Sequence, residues 1–138
     1  MKFYQTKTRV LSGSSYHEVY KQTADFYKKI KKKTKRRPYI RSAYFNKDKI
    51  FLETYWRHLY EKKSFKDKIR RMKYFLCAIE LIEKSRVEPT SKENPNKRTE
   101  ILHRFAGATK DKEIFFVQIR EDKKNNKKWF MSSFPLDK

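Results

Sequence analysis

Three short runs near the C-terminus of this 138-residue chain set chemically useful side chains among apolar neighbours: Glu100 to Gly107, Glu113 to Arg120 and Lys128 to Phe134. Their polar members are His103, Arg104, Gln118, Arg120, Lys128, Ser132 and Ser133. Such a set suits metal-free cleavage of RNA, in which the ribose 2′-hydroxyl attacks phosphorus. One group must take the hydroxyl proton, another must stabilise charge on the phosphate, and a third should protonate the leaving 5′-oxygen. Histidine titrates near neutrality and suits either proton role. Arginine and lysine stabilise the dianionic phosphorane, and serine or glutamine orients the phosphate. His103, Arg120, Lys128 and Ser132 are therefore the catalytic candidates. Arg104, Lys110, Phe116, Gln118, Phe130 and Ser133 are the substrate-binding ones, the two phenylalanines as stacking platforms for bases.

Each candidate has a plainer reading. His103 alternates with Ile101 and Phe105, which suits a core histidine bonded to a carbonyl. Arg104 lies across the same strand, so the two share a site only through a bulge. Arg120 and Lys128 flank a turn, where solvated cations are ordinary. Ser132 against Ser133 depends on strand register. Other classes of site are poorly served. Two glycines cannot build a Gly-rich phosphate loop. No histidine pair has metal-ligand spacing and no serine sits in a nucleophile elbow. Neither a metal nor a cofactor is expected.

The elements that must carry these residues follow from periodicity. The three runs are short, aromatic and β-branched, bounded by turn formers, and read as an antiparallel meander. Alternation puts Phe115, Val117 and Ile119 on one face and Phe116, Gln118 and Arg120 on the other. Pairing Gln118 with Phe130 joins the apolar faces, and gathers Lys128, Phe130 and Ser132 beside Gln118. A helix with a serine cap is expected from Tyr16 to about Thr34. It runs into Lys28 to Arg37, eight basic residues in ten, either a solvated helix end or a phosphate-binding arm. Pro38 ends it. Tyr39 to Phe45 suits a strand, and Ile50 to Tyr60 suits a helix. A capping-box variant, Ser64 to Asp67, opens a helix to Lys84 that should pack on the sheet. Arg86 to Arg98 reads as a loop.

Length suits one domain. It divides into a basic helical region (1–37), a helical region with a loop (38–99) and the meander (100–135). Thirty-seven Lys and Arg against 16 Asp and Glu give a net charge of +21, which points to a polyanion. No apolar run is long enough to cross a membrane, and the N-terminus has no signal-peptide pattern. The single cysteine, Cys77, excludes an internal disulfide and reads as a buried thiol. A reducing cytoplasm fits these features.

Four strings carry a resemblance: Ile101-Leu-His-Arg-Phe-Ala-Gly107 after Pro95-Asn-Lys97, then Phe116-Val-Gln-Ile119, Phe130-Met-Ser-Ser-Phe-Pro135, and Arg70-Arg-Met-Lys-Tyr74 with Ala78-Ile-Glu-Leu-Ile82. Over Tyr39 to Pro135 the chain resembles phage and mobile-element nucleases of the barnase–EndoU–colicin–RelE class. The resemblance implies an α+β fold, with N-terminal helices packed on one face of a small antiparallel sheet of about four strands. It implies metal-independent cleavage of tRNA or mRNA on the open face, and a cognate antitoxin or immunity protein as partner. The competing expectations are a non-catalytic RNA- or DNA-binding module on the same basic face, and an adaptor for an acidic protein.

Overall fold

The structure, a computed structural model, describes residues 2–62 and 64–136. In chain order its elements are β1 (Tyr4–Gln5), α1 (Tyr16–Thr34), β2 (Tyr39–Arg41), β3 (Lys49–Phe51), α2 (Glu53–Glu61), α3 (Phe65–Met72), α4 (Phe75–Lys84), β4 (Thr90–Asn94), β5 (Lys97–Ala108), β6 (Ile114–Asp122) and β7 (Lys128–Pro135). The strands form one curled, seven-stranded mixed sheet, ordered β1-β5-β6-β7-β3-β2 with β4 also on β5. β1 runs parallel to β5, and β3 parallel to β7. The β2–β3, β4–β5, β5–β6 and β6–β7 pairs are antiparallel.

This corrects the expected small antiparallel sheet of about four strands carrying helices on one face. The meander is present, but four strands of two to five residues extend it. Two of them pair parallel, so the sheet is larger and mixed. β4 falls where a loop was expected, and β3 takes the start of the expected 50–60 helix.

The apolar face of β6 lies inward: Phe115, Val117 and Ile119 have no solvent exposure. Tyr74 stacks on Phe115 with ring centroids 5.6 Å apart. Gly107 sits where the backbone passes close to this layer, since a Cβ there would meet Phe115 Cζ at 2.6 Å. Helix α2 packs along β7, with Tyr55 stacked on Phe130 at 4.7 Å.

Both expected serine caps are made. Ser15 Oγ accepts from the Glu18 amide at 3.2 Å, and Ser64 Oγ from the Asp67 amide at 3.3 Å. The expected 64–84 helix is two helices, broken at Lys73 and Tyr74. There the Lys73 carbonyl accepts from the Leu11 amide at 3.0 Å, a bond that lies outside the helix ladder. The N-terminal segment is held as well by Glu80, which accepts from Tyr4 Oη at 2.7 Å, Thr8 Oγ1 at 2.6 Å and the Thr8 amide at 2.8 Å. Burial alone would push the Glu80 carboxyl up, but these bonds outweigh it and leave its pKa below the ordinary value.

Candidate nucleic-acid interface

The sheet divides the nominated residues between its two faces. β5 and β6 pair with Arg104 opposite Gln118 and His103 opposite Ile119. In β7 one extra residue, Met131, makes a bulge: Ile119 pairs Phe130, and Gln118 pairs Ser132. The expected pairing of Gln118 with Phe130 is thereby displaced. Lys128, Phe130 and Ser133 turn inward with His103, whereas Trp129, Ser132 and Phe134 turn outward with Phe116, Gln118 and Arg120. Phe130 is fully buried and cannot stack a base. Ser133 is fully buried and donates to the Arg71 carbonyl at 3.1 Å. Lys110 is exposed in the turn after β5, away from both groups.

On the outer face Arg104, Gln118 and Ser132 form a row across three strands. The Arg104 guanidinium lies over Phe116 and Phe134, at 5.6 and 5.5 Å. Arg120 lies over Trp129 at 4.6 Å and reaches Glu100 at 3.6 Å. A small cleft of about 150 Å³ opens beside this row, walled by Thr90, Lys92, Leu102, His103, Arg104 and Gln118.

On the inner face His103 belongs to a relay. Its Nδ1 meets Ser91 Oγ at 2.7 Å and its Nε2 meets Glu121 Oε1 at 2.8 Å. A carboxylate only accepts, so Nε2 carries the proton toward Glu121. The other oxygen of Glu121 lies 3.6 Å from Lys128 Nζ, which also donates to Asp48 Oδ2 at 2.8 Å. His103 is 7% exposed and Lys128 3%. Lys128 therefore faces a carboxylate pair and not an open phosphate site. Ser91 and Glu121 escaped the sequence reading because no local spacing announces them; β4 and the β5–β6 register bring them together.

A second cationic surface lies at the β2–β3 end of the sheet. Alternation builds it. Ile40 and Ile50 point inward, at 7% and 0% exposure, and Tyr39, Arg41, Lys49 and Phe51 point outward. Three clefts of about 480, 460 and 360 Å³ meet here. The first two share Arg41 and Lys47, and the last two share Lys49 and Phe51, so the three clefts adjoin. Their walls carry nine cationic residues, Lys35, Arg36, Arg37, Arg41, Lys47, Lys49, Lys84, Arg86 and Lys127, against Asp48 and Glu83, and the buried Lys128, already paired with Asp48, lies behind them. Burial raises the Glu83 carboxyl above its ordinary value, opposed by Lys84 and Lys33.

Aromatic rings are set among these cations. Tyr39 and Phe51 are cross-strand partners, edge to face at 6.3 Å. Lys49 Nζ lies 4.7 Å and Arg41 Cζ 5.4 Å from the Tyr39 ring centroid, and Arg37 Cζ lies 4.3 Å from that of Phe51. Arg37 is also paired with Glu53. The 28–37 basic run, expected as helix end or phosphate arm, puts its last residues on the wall of the third cleft. The mirrored tripeptides Tyr39-Ile-Arg41 and Lys49-Ile-Phe51 around Asn46-Lys-Asp48 were the available signal for it.

Cys77 is buried as expected; burial pushes its thiol up to about 11. Among the described residues no cluster of His, Cys, Asp and Glu is placed to hold a metal ion. Among them, too, no helix is long and apolar enough to cross a membrane. Comparison with protein-family models, with curated proteins and with solved structures finds no match.

Proposed function

We propose that this protein binds single-stranded RNA along the β2–β3 groove. One observation carries the reading: nine cationic residues besides the buried Lys128, and an outward aromatic pair, Tyr39 and Phe51, line three adjoining clefts. Phosphates meet the cations, and bases stack on the rings, a combination that follows a strand without reading its sequence. Duplexes keep their bases stacked internally and cannot use the rings. A reducing cytoplasm, where RNA is abundant, suits a chain with one thiol.

The test is fluorescence anisotropy with a labelled oligouridine and a duplex of equal length. The single strand should bind more tightly. Tyr39→Ala with Phe51→Ala should weaken it about tenfold or more, at roughly 1–3 kcal/mol per stacked base. Glu83→Gln should strengthen it severalfold by removing a groove carboxylate. Equal affinity for duplex, with no loss in the aromatic double variant, would sink the proposal.

A second reading is a metal-independent endoribonuclease acting on tRNA or mRNA, with a cognate antitoxin. The carboxylate-oriented imidazole of His103 favours it. It requires the 2′-hydroxyl to take the place of Ser91 at Nδ1, with Arg104, Gln118 and Ser132 on the far face left as binding groups. Total RNA incubated with the protein and EDTA should then yield 2′,3′-cyclic phosphate ends, and the His103→Ala variant should not produce them. No cleavage of any RNA class removes this reading and leaves the binding one.

A further inference from the structure

We propose that Ser91 is a nucleophile activated by His103 and Glu121, and that this end of β4 hydrolyses uncharged carboxylic esters. The inference is independent of RNA binding, since none of the three residues lines the β2–β3 groove.

The geometry is a closed hydrogen-bond chain. Ser91 Oγ is 2.7 Å from His103 Nδ1, and His103 Nε2 is 2.8 Å from Glu121 Oε1. With the imidazole proton on Nε2, Nδ1 offers its lone pair to the serine hydroxyl. This is the serine–base–orienter arrangement that activates a hydroxyl, with the two ring nitrogens in exchanged roles from the usual triad. The partners are fixed. Ser91 and His103 face each other across β4 and β5. The edge of Phe45 meets the imidazole at 5.0 Å, and Lys128 holds the second Glu121 oxygen. The nucleophile is reachable, because Ser91 is exposed on edge strand β4 while His103 behind it is buried.

The surroundings choose the substrate class. Phe45 packs on the imidazole and Phe105, and Tyr44 packs on both phenylalanines. The cation of the relay, Lys128, is already matched by Glu121 and Asp48. Lys92 and Arg104 wall the cleft beside His103, and an uncharged carboxylic ester needs none of these cations. Alternate N–H groups of an edge strand face outward, where they can donate to an oxyanion.

The steps balance. Ser91 Oγ bonds to the ester carbon, its proton passes to His103 Nδ1, and the carbonyl pair moves onto oxygen. The tetrahedral adduct collapses, the alcohol leaves with the proton from Nδ1, and Ser91 is acylated. Water repeats the sequence, releasing the carboxylic acid and restoring Ser91.

The experiment labels the full chain with a biotin-tagged fluorophosphonate, locates the adduct by peptide mass spectrometry, and follows turnover of 4-nitrophenyl butyrate. We expect one adduct, on Ser91, absent in denaturing urea, and turnover beyond one equivalent that Ser91→Ala removes. His103→Gln should slow labelling about 100-fold or more, the scale of general-base assistance. His103 is buried, so that variant is compared only if it folds. The exposed Ser91→Ala and the wild-type labelling decide the matter without it. Absence of an adduct on Ser91, equal labelling in urea, or turnover unchanged in Ser91→Ala overturns the proposal. RNA binding should be unaffected by Ser91→Ala.

Discussion

Glu121 divides its carboxylate between two partners, one oxygen 2.8 Å from His103 Nε2 and the other 3.6 Å from Lys128 Nζ. This makes Lys128 a structural cation, whereas its neighbour Lys127 is exposed on the groove wall. Lys128→Ala should therefore cost about 3–5 kcal/mol, because it removes the cation from a largely buried pair and leaves Glu121 with His103 alone. Lys127→Ala should leave stability within about 0.5 kcal/mol. It should also lower the salt dependence of RNA binding by about 0.7 in slope, the share of one phosphate contact to a single strand. Urea denaturation and a salt titration of affinity check the pair. Similar stability losses for both would refute the assignment.

The loop joining β2 to β3 holds Asn46 at φ 54° and Lys47 at φ 68°, two consecutive left-handed residues with side chains. Relief of that strain, less the added chain entropy of glycine, should make Lys47→Gly more stable by about 0.5–1 kcal/mol. The same change removes a groove cation and should weaken RNA binding. Thermal melting beside an anisotropy titration reads both effects, and a destabilised variant would contradict the strain argument.

Glu80 links the N-terminal segment to α4 through hydrogen bonds to its ionised form. Its folded pKa lies below the unfolded value, so its contribution to stability is present above the ordinary carboxylate range. That contribution should fade as pH falls from about 4.3 through the lower folded value. Hydrogen exchange at Thr6, whose amide donates to Ala108 at 2.8 Å, should accelerate over that interval. Glu80→Ala should give the fast exchange already at neutral pH and cost about 2 kcal/mol.

A methyl group at Gly107 would lie 2.6 Å from Phe115 Cζ and 2.8 Å from Leu81 Cδ1. Both neighbours are buried and held by the core. Gly107→Ala should cost roughly 1–3 kcal/mol by overpacking. A neutral result in chemical denaturation would mean that the Phe115 layer yields more easily than its packing implies.

Sequence reading served best where one pattern ran long enough to show its period. The nineteen residues of α1 and its Ser15 cap were legible, as was the inward set Phe115, Val117 and Ile119. β4 was not, because Thr90-Ser-Lys-Glu-Asn94 is an edge strand of polar residues and shows no alternation. β1 and β3 are two or three residues long, too short for a period to register, and of the strand expected from Tyr39 to Phe45 only Tyr39–Arg41 forms, as β2. The β7 faces were misread for a different reason. Met131 is an extra residue, and one insertion reverses every side chain on one side of it. That single bulge moved Lys128 and Phe130 from the expected outer surface into the interior. His103 stood out in the sequence, but its partners come from strands whose pairing no local spacing announces.

Strand β2 ends the sheet on the groove side and is three residues long, with Arg41 on its outer face. Short, cationic margins discourage a sheet from adding a strand from another copy of the chain. Here the repelling charges are the same groups that the proposed RNA binding uses. A polyanion that fills the groove cancels the repulsion between neighbouring copies along that margin. Self-association should then follow the ratio of RNA to protein, being weakest in free protein and rising as charge approaches neutrality. Added salt, which screens the same charges, should raise self-association in the same direction.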